Sequence, residues 1–382
     1  MRVQLTRVLW PVALAVTACA ALVARGVADE LVDPATLGTL FRSFSDSGHV
    51  LVQSLMGDYG TALGQAALSL HVNNEHVRIP GISALPGSQQ AIDAITTASR
   101  PITNNAFQDY VKVRNEVQGE VSNPRAAVNY YLSSEIDYLA QQLGAKYNRD
   151  LRDRRLNLAV GTSYGWDEIK PLPDADTRTA AGSKTTLHGD AVATQILSPT
   201  TLLRWGLEYN IVEGLQYNPY RNVYAGGTHV PERTPDHRER RDTFLKLNQY
   251  FSNRSSLKLS YRLYNDDWGI TSHELESSLN QYITHGFAVS YEYRYYTQTA
   301  ASFYRDEYPT TNGIDGYLTG DYRLNDLASH LFGASTRLDM AALAPTHTLW
   351  RRTGMWLNWE RYFNSNNYSA NILEAGVDLH FQ

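Results

Sequence analysis

The sequence predicts an all-β chain: a transmembrane, antiparallel, up-and-down β-barrel of about 16 strands with long extracellular loops, about 14 being the alternative count. Three observations lead there. The first is residues 255–298, which alternate with period two through three successive runs. Leu257, Leu259, Tyr261 and Leu263 are interleaved with Lys258, Ser260, Arg262 and Tyr264. Leu275, Leu279 and Ile283 oppose Glu274, Glu276, Ser278 and Asn280. Phe287, Val289, Tyr291, Tyr293 and Tyr295 oppose Ser290, Glu292 and Arg294. Period two is the signature of a strand with two unlike faces. Runs of roughly 10–14 residues exceed the ~5–6 usual in soluble sheets and suit a tilted crossing of a bilayer.

The second observation is the alternation of connection lengths. Short turns fall at Asn123-Pro124, Ser198-Pro199-Thr200, Ser252-Asn253-Arg254, Thr284-His285-Gly286 and Ala344-Pro345-Thr346, and long connections at 79–110, 167–184, 213–240 and 299–316. Outer-membrane barrels have short periplasmic turns and longer external loops. Counting back from the C-terminus puts every one of these short turns on the periplasmic side and the tip Asn265-Asp266-Asp267-Trp268-Gly269 outside. The third observation is compositional. The chain has 25 Tyr and 7 Trp against a single Cys, and such amphipathic rings collect at membrane–water interfaces. A mean hydropathy of −0.38 leaves no helical span beyond the N-terminus, as expected when only alternate residues face lipid. The net charge of −5 gives no argument for nucleic acid.

The elements follow in order. Arg2 and Arg7 precede an apolar stretch at 8–23, and Gly26-Val27-Ala28 resembles a cleavage site before Asp29, so residues 1–28 are expected to be a signal peptide and 29–382 one barrel domain. Val16-Thr17-Ala18-Cys19 is a competing lipoprotein box that would lipidate Cys19; either route exports the chain to a Gram-negative envelope. A weak first strand at 40–44 is followed by clear runs at 50–59 and 65–77. Pro80, Gly81, Pro86 and Gly87 then break the pattern through 79–105, where 89–99 is readable as a short helix inside a loop. Alternation resumes at 111–121, 126–136, 139–149, 156–166, 185–197, 202–212 and 242–251, passes through 255–298, and continues at 317–340, 348–363 and 372–381. A chain that starts and ends in the periplasm needs an even number, so the weak run completes the set. In the last run Leu373, Ala375, Val377, Leu379 and Phe381 alternate with Glu374, Asp378 and His380. It resembles the terminal signal read by the barrel assembly machinery, with Gln382 one residue beyond the aromatic.

Residues 195–340 carry a further pattern. It comprises Ile196-Leu197-Ser198-Pro199, Tyr261-Arg262-Leu263-Tyr264-Asn265-Asp266-Asp267-Trp268-Gly269-Ile270, Ser272-His273, Tyr293-Arg294-Tyr295-Tyr296, Ala300-Ala301-Ser302-Phe303-Tyr304 and Asp321-Tyr322-Arg323-Leu324. In order and spacing it resembles the DUF3570 family of uncharacterised outer-membrane β-barrel proteins. The resemblance implies a barrel without an assigned activity, and a small lipoprotein or periplasmic redox protein as partner.

The residues expected to line the lumen are Arg262, Glu276, Glu292, Arg294, Lys258, His188 and Asp190. Arg262, Arg294, Glu276 and Glu292 lie on neighbouring strands and are expected either to fill it as an ion-pair ladder or to set the field in a pore. Asp266, Asp267, Trp268, Gly269 and His273 mark the external hairpin. Two carboxylates and a His suit a metal, but adjacent strand residues point apart, so a solvated tip with the Trp in an aromatic girdle is the expectation. A Ser-His-carboxylate hydrolase elbow is not expected, nor a phosphate loop, zinc cysteines or a haem box, so no catalytic residue, cofactor or metal is assigned. The loop 213–240 carries Tyr217, Pro219, Tyr220, Tyr224, Arg233, His237, Arg238 and Arg240, the side-chain types of binding anchors. The leading expectation is a channel or porin-like transport protein of the outer membrane with a polar, charged lumen. The alternative is a scaffold barrel that docks a lipoprotein or periplasmic partner.

Overall fold

A computed structural model describes residues 35–64, 66–79, 110–172, 181–343, 346 and 352–381. The proposed signal peptide with Cys19, most of the loop at 79–105 and the turn residues Ala344 and Pro345 lie outside the described residues.

Sixteen antiparallel strands close into one barrel. The barrel strands are β1 (Ala35–Asp46), β2 (Leu51–Leu63), β3 (Ala66–Ile79), β4 (Tyr110–Ser122), β5 (Ala126–Ser134), β6 (Tyr138–Leu151), β7 (Leu156–Ile169), β8 (Gly182–Ser198), β9 (Thr201–Gly214), β12 (His237–Tyr250), β13 (Ser255–Asp266), β14 (Thr271–Tyr282), β15 (Phe287–Gln298), β16 (Leu327–Asp339), β17 (Thr353–Asn364) and β18 (Ser369–Phe381). A separate two-stranded hairpin, β10 (Asn222–Ala225) and β11 (Thr228–Pro231), sits in the β9–β12 connection. The weak first strand is the one that closes the ring. β1 pairs with β2 on one side and with β18 on the other, from Ala35↔Phe381 to Asp46↔Ala370. Most strands have 12–14 residues; at ~3.3 Å per residue and a tilt near 40° these span roughly 30 Å, a bilayer core.

The pleat sorts the side chains. Leu259, Tyr261, Leu275, Leu279 and Tyr291 are exposed on the outside, while Lys258, Arg262, Glu276, Glu292 and Arg294 share the opposite face through the registers Lys258↔Ser278, Ser278↔Glu292 and Glu276↔Arg294. The core is thus inverted relative to a soluble protein: the barrel wall has apolar residues facing out and polar ones facing in. Near the loop-bearing rim, outward Tyr293, Tyr295, His330 and Phe363 pack ring against ring, with His330 5.2 Å from both Tyr295 and Phe363. Tyr147, Tyr250 and Tyr282 are exposed toward the other rim. These are the two interfacial belts that the Tyr count foretold.

Several boundaries differ from the sequence reading, and the first strand, expected at 40–44, runs from Ala35 to Asp46. Residues 317–326 are not strand: they belong to a connection running from 299 to 326, with one 3-10 turn at Tyr322–Leu324. Leu318 and Leu324 are buried there among loop residues, so their apolar spacing reflects a small core above the barrel, not a lipid face. β12 begins at His237 and not at Asp242. β16 ends at Asp339 and a helical turn follows at Met340–Leu343, while residues 348–351 of the expected strand 348–363 lie outside the described residues.

Outward Leu275, near the middle of β14, gives a direct test of the sidedness. Leu275→Arg places a charge in the hydrocarbon and should cost about 2–4 kcal/mol, whereas Ser335→Lys on the inner face should cost less than about 1 kcal/mol. Equilibrium folding into lipid vesicles against urea measures both.

Candidate functional site in the lumen and its lid

Two connections fold over the barrel mouth. The first, 215–236, contains the β10–β11 hairpin; the second is 299–326. They are joined by the bridges Ala225↔Tyr308 and Arg233↔Leu318, and by a core of Val223, Ala225, Tyr308 and Leu318. A buried polar network fixes their relative position. Arg221 Nη1 pairs with Glu232 at 3.0 Å and with Asp321 at 3.2 Å. Thr319 Oγ1 donates to Glu232, and the Asn218 amide donates to the other Glu232 oxygen at 3.0 Å. The Tyr308 hydroxyl donates to the Phe303 carbonyl at 2.7 Å and accepts from the Thr319 amide at 3.0 Å. Burial pushes the Asp321 carboxyl up, but Arg221 and Arg323 outweigh it and hold the group well below the usual carboxylate range.

This lid is tied to the rim on three sides. The Tyr220 hydroxyl donates to Asp137 at 2.6 Å and accepts from the Leu172 amide at 2.9 Å; Asp137 in turn holds Lys112, whose side chain is 1% exposed and also meets Glu135 at 2.6 Å. Tyr322 lies 6.1 Å from Tyr368, between β17 and β18, and the Tyr368 hydroxyl reaches Asp46. The third tie is the hairpin Asn265-Asp266-Asp267-Trp268-Gly269.

That hairpin is not a solvated tip. Trp268 is 4% exposed and packs with Ile270, Ala301, Phe303, Tyr304 and Leu324, so it belongs to the lid core and not to the aromatic girdle. Its indole donates to the His237 carbonyl at 2.9 Å, and the Arg238 guanidinium stacks on it at 4.2 Å. Asp266 is fully buried. It accepts from Arg238 Nε at 2.9 Å, the Tyr264 hydroxyl at 2.8 Å and the Ile270 amide at 2.9 Å. Asp267 accepts from the Glu239 amide at 2.9 Å. Gly269 has a φ of +90°, a conformation that glycine takes without steric cost. His273 faces the outside, where it meets the Tyr261 hydroxyl at 2.8 Å; it shares no site with the two Asp, and no metal-holding group occurs among the described residues.

Beneath the lid lies a cavity of about 630 Å³, lined by the lid and by β6–β9 and β12–β15. A second cavity of about 380 Å³ lies deeper and includes His188, Asp190, Arg204, Glu208 and Phe244 in its wall. Arg262 stands where the two adjoin: it lines the upper one and donates to Asp242 at 2.8 Å and to Glu208 at 3.3 Å. Beside it Phe244 lies flat against Gly206, where a Cβ would come within 2.3 Å of the ring. Arg204, Lys246 and Arg262 surround that ring at 5.9, 5.6 and 5.4 Å.

The strand registers turn Arg262, Lys258, Glu276, Glu292, Arg294, His188 and Asp190 to the lumen face. Their partners are not those expected. Arg262 pairs back with β9 and β12, and Glu276 and Arg294, though opposite in register, form no salt bridge within 4.0 Å among the described residues. An ion ladder exists on the other side of the barrel, where Arg114 meets Glu75 at 3.0 Å and Glu116 at 3.6 Å, and Tyr131 donates to Glu116. Inward parity on β3 and β4 was the available signal for it. The sequence reading also passed over Gly161-Thr162-Ser163-Tyr164-Gly165, which has Gly-x-Ser-x-Gly spacing. These residues lie inside β7 as extended backbone, not at a strand-to-helix elbow. Ser163 stands opposite His188 in register, yet its hydroxyl accepts from Gln142 at 2.5 Å, and His188 meets Asn210 at 2.8 Å and Asp190 at 3.3 Å. Among the described residues no hydrogen bond joins Ser163 to His188, and the backbone of 161–165 is paired in the sheet ladder.

Comparisons with known proteins extend the sequence signal. The profile of a family described as "Protein of unknown function (DUF3570)" matches residues 86–349. No curated protein matches the chain. Among solved structures, the chain is similar to OccD3 (OpdP) of Pseudomonas aeruginosa, with 12% identity, a TM-score of 0.45, and 91% of this chain and 90% of that one covered. It is also similar to a BenF-like porin from Pseudomonas fluorescens Pf-5, with 9% identity, a TM-score of 0.44, and coverage of 91% and 99%. A loop-deletion mutant of OmpT, an outer membrane protein of Vibrio cholerae, has 8% identity, a TM-score of 0.43, and coverage of 92% and 99%.

Two outcomes test the lid. Trp268→Ala empties the lid core and the Arg238 stack, a loss of about 3–5 kcal/mol. Limited proteolysis of the detergent-solubilised barrel should then cut within 299–326, while heat-resistant gel mobility of the barrel is unchanged. The depressed Asp321 group sets a pH dependence. A carboxyl lowered in the folded state contributes stability above its unfolded value near pH 4 and loses it as pH falls through the folded value. Amide protection in 299–326, taken as the exchange rate relative to the unstructured rate at the same pH, should therefore hold from neutral pH down to about pH 4 and fall only below, and Asp321→Asn should flatten that dependence.

Proposed function

We propose, for a chain that belongs to the DUF3570 family, that it is an outer-membrane transport barrel that passes small polar solutes along a charged lumen beneath a folded external lid. The observation that carries this is the unequal distribution of inward charge. On β8–β13 the inward cations Lys184, Arg204, Arg238, Arg240, Lys246, Lys258 and Arg262 exceed the inward acids Asp190, Glu208, Asp242 and Asp266. On β14–β18 the inward acids Glu274, Glu276, Glu292, Glu360, Glu374 and Asp378 exceed Arg294 and Arg337. Adjoining arcs of opposite sign set a lateral field in the lumen that orients a polar or zwitterionic solute and disfavours an apolar one. A barrel of about 16 strands is wide enough for water. The reading is non-enzymatic: the polar groups are consumed by one another, and among the described residues no hydrogen bond joins the serine with hydrolase spacing to His188.

Reconstituted into planar bilayers, the protein should give discrete conductance steps. Arg262→Gln removes a cation where the two cavities adjoin and should lower the anion-to-cation permeability ratio, while Glu292→Gln on the adjoining arc should raise it. Membranes that stay silent with correctly folded protein would remove the transport reading and leave the partner-docking scaffold in its place.

A further inference from the structure

Six cations line the upper cavity: Lys184, Arg221, Arg238, Arg240, Arg262 and Arg323. Five are matched by carboxylates. Lys184 meets Asp167 at 3.0 Å; Arg221 meets Glu232 and Asp321; Arg323 meets Asp321 at 2.8 Å; Arg238 meets Asp266; and Arg262 meets Asp242 and Glu208. Arg240 has no carboxylate within 4.0 Å among the described residues, and its Nε is buried without a hydrogen-bond partner. Its surroundings explain why. The register partner on β9 is Asn210, and on β13 it is Asp266. Asp266 is turned to other donors: its Oδ2 accepts from Arg238 and Tyr264 and its Oδ1 from the Ile270 amide. Arg238, two residues away on the same face, adds a like charge. The three acids in the cavity wall are likewise taken: Asp137 by Lys112 and Tyr220, Glu232 and Asp321 by the lid arginines.

A guanidinium is charged at every accessible pH, and leaving it half-buried and unpaired is costly. A second donor without a partner, the buried Thr234 hydroxyl, lines the same cavity. We infer that Arg240 is the anchor of an anion-binding site in the upper cavity, and that its ligand is a small organic monocarboxylate with a planar, unsaturated body. One free cation matches one negative charge; a phosphate dianion would require a second. The guanidinium fork fits a carboxylate. The rest of the wall supplies flat faces, from Tyr138, Tyr217, Tyr264 and Tyr296, and about 630 Å³ is the size of a small-ligand pocket. The inference deepens the transport reading and rests on it only for placing the ligand on a route through the membrane.

The test separates the two. Benzoate, its neutral isostere benzamide, and inorganic phosphate are titrated by calorimetry onto the intact protein in detergent, and benzoate is then added to open channels in bilayers. Benzoate should bind, benzamide and phosphate should not, and Arg240→Gln should weaken benzoate about ten-fold or more. Arg240→Lys should retain part of the affinity, and Arg125→Gln in a periplasmic turn should retain all of it. Heat-resistant gel mobility certifies the fold of each variant. Equal benzoate binding by the wild type and Arg240→Gln, no benzoate binding by the folded wild type, benzamide binding as well as benzoate, or a preference for phosphate would each overturn the assignment. Benzoate binding that depends on Arg240 in a protein that carries no current would retain the site and remove transport. Current without Arg240-dependent binding would do the reverse.

Discussion

The structure depends first on the closure of its backbone. Hydrocarbon offers no partner for an N–H or a C=O, so a sheet that crosses a membrane has to pair every strand on both sides. The ring meets that demand at the β1–β18 seam, where twelve register pairs join the first strand to the last. Once the ring is closed, nothing about the side chains is free. Each register fixes the parity of the next strand, and parity decides which residues meet lipid and which meet the lumen. β1 carries Arg42 on the inner face, where it reaches Glu374 of β18 across the seam at 3.4 Å. The strand with the weakest alternation is therefore held by backbone pairing on both flanks more than by an apolar face of its own.

That dependence explains what could be read from the sequence. Period two is local, so the strands, their number and the inward turn of residues such as Arg262 and Glu292 follow from neighbouring residues alone. Ion pairing is not local. Arg262 meets Glu208, 54 residues earlier, because β9 and β12 are adjacent only after the β10–β11 hairpin has been looped out. The lid was illegible for a related reason. Leu318 and Leu324 have the spacing of a strand, but the surface they cover is another loop, and which loop it is depends on the whole ring. Trp268 misled in the same way: next to two aspartates at a hairpin tip an indole suggests the interface, yet here the hairpin leans over the mouth and the ring is enclosed.

The lumen shows how a polar interior is kept in one arrangement. Buried ions gain little net stability, because desolvation offsets their attraction, but breaking one partner leaves an expensive orphan. The lid uses that asymmetry. Glu232 accepts from Thr319, Asn218 and Arg221 together, so any displacement of one loop relative to the other uncovers a buried charge. An apolar lid core alone would tolerate sliding; Glu232 does not. The hairpin at Asp266 works alike, holding Arg238 between a carboxylate below and the Trp268 face above.

The same economy of partners gives the upper cavity its character. Every inward carboxylate near Arg240 is already committed to holding a structural element: Asp266 to the hairpin, Asp242 and Glu208 to Arg262, Glu232 and Asp321 to the lid. Structural pairing thus removes negative charge from the cavity without removing the cation at Arg240. The separation also has a depth order. Arg240 pairs in register with Asp266, four residues nearer the hairpin tip than Arg262, and Arg262 is the register partner of Phe244, whose ring can lie flat only because residue 206 is a glycine. Arg204, Lys246 and Arg262 gather around that ring where it adjoins the lower cavity, and the carboxylates of β14–β18 line the adjoining arc. In the upper cavity the paired cations Arg221, Arg238 and Arg323 of the lid and rim surround Arg240, so the charge that structural pairing leaves uncompensated among the described cavity cations is a single guanidinium held between the lid and the Arg262 junction.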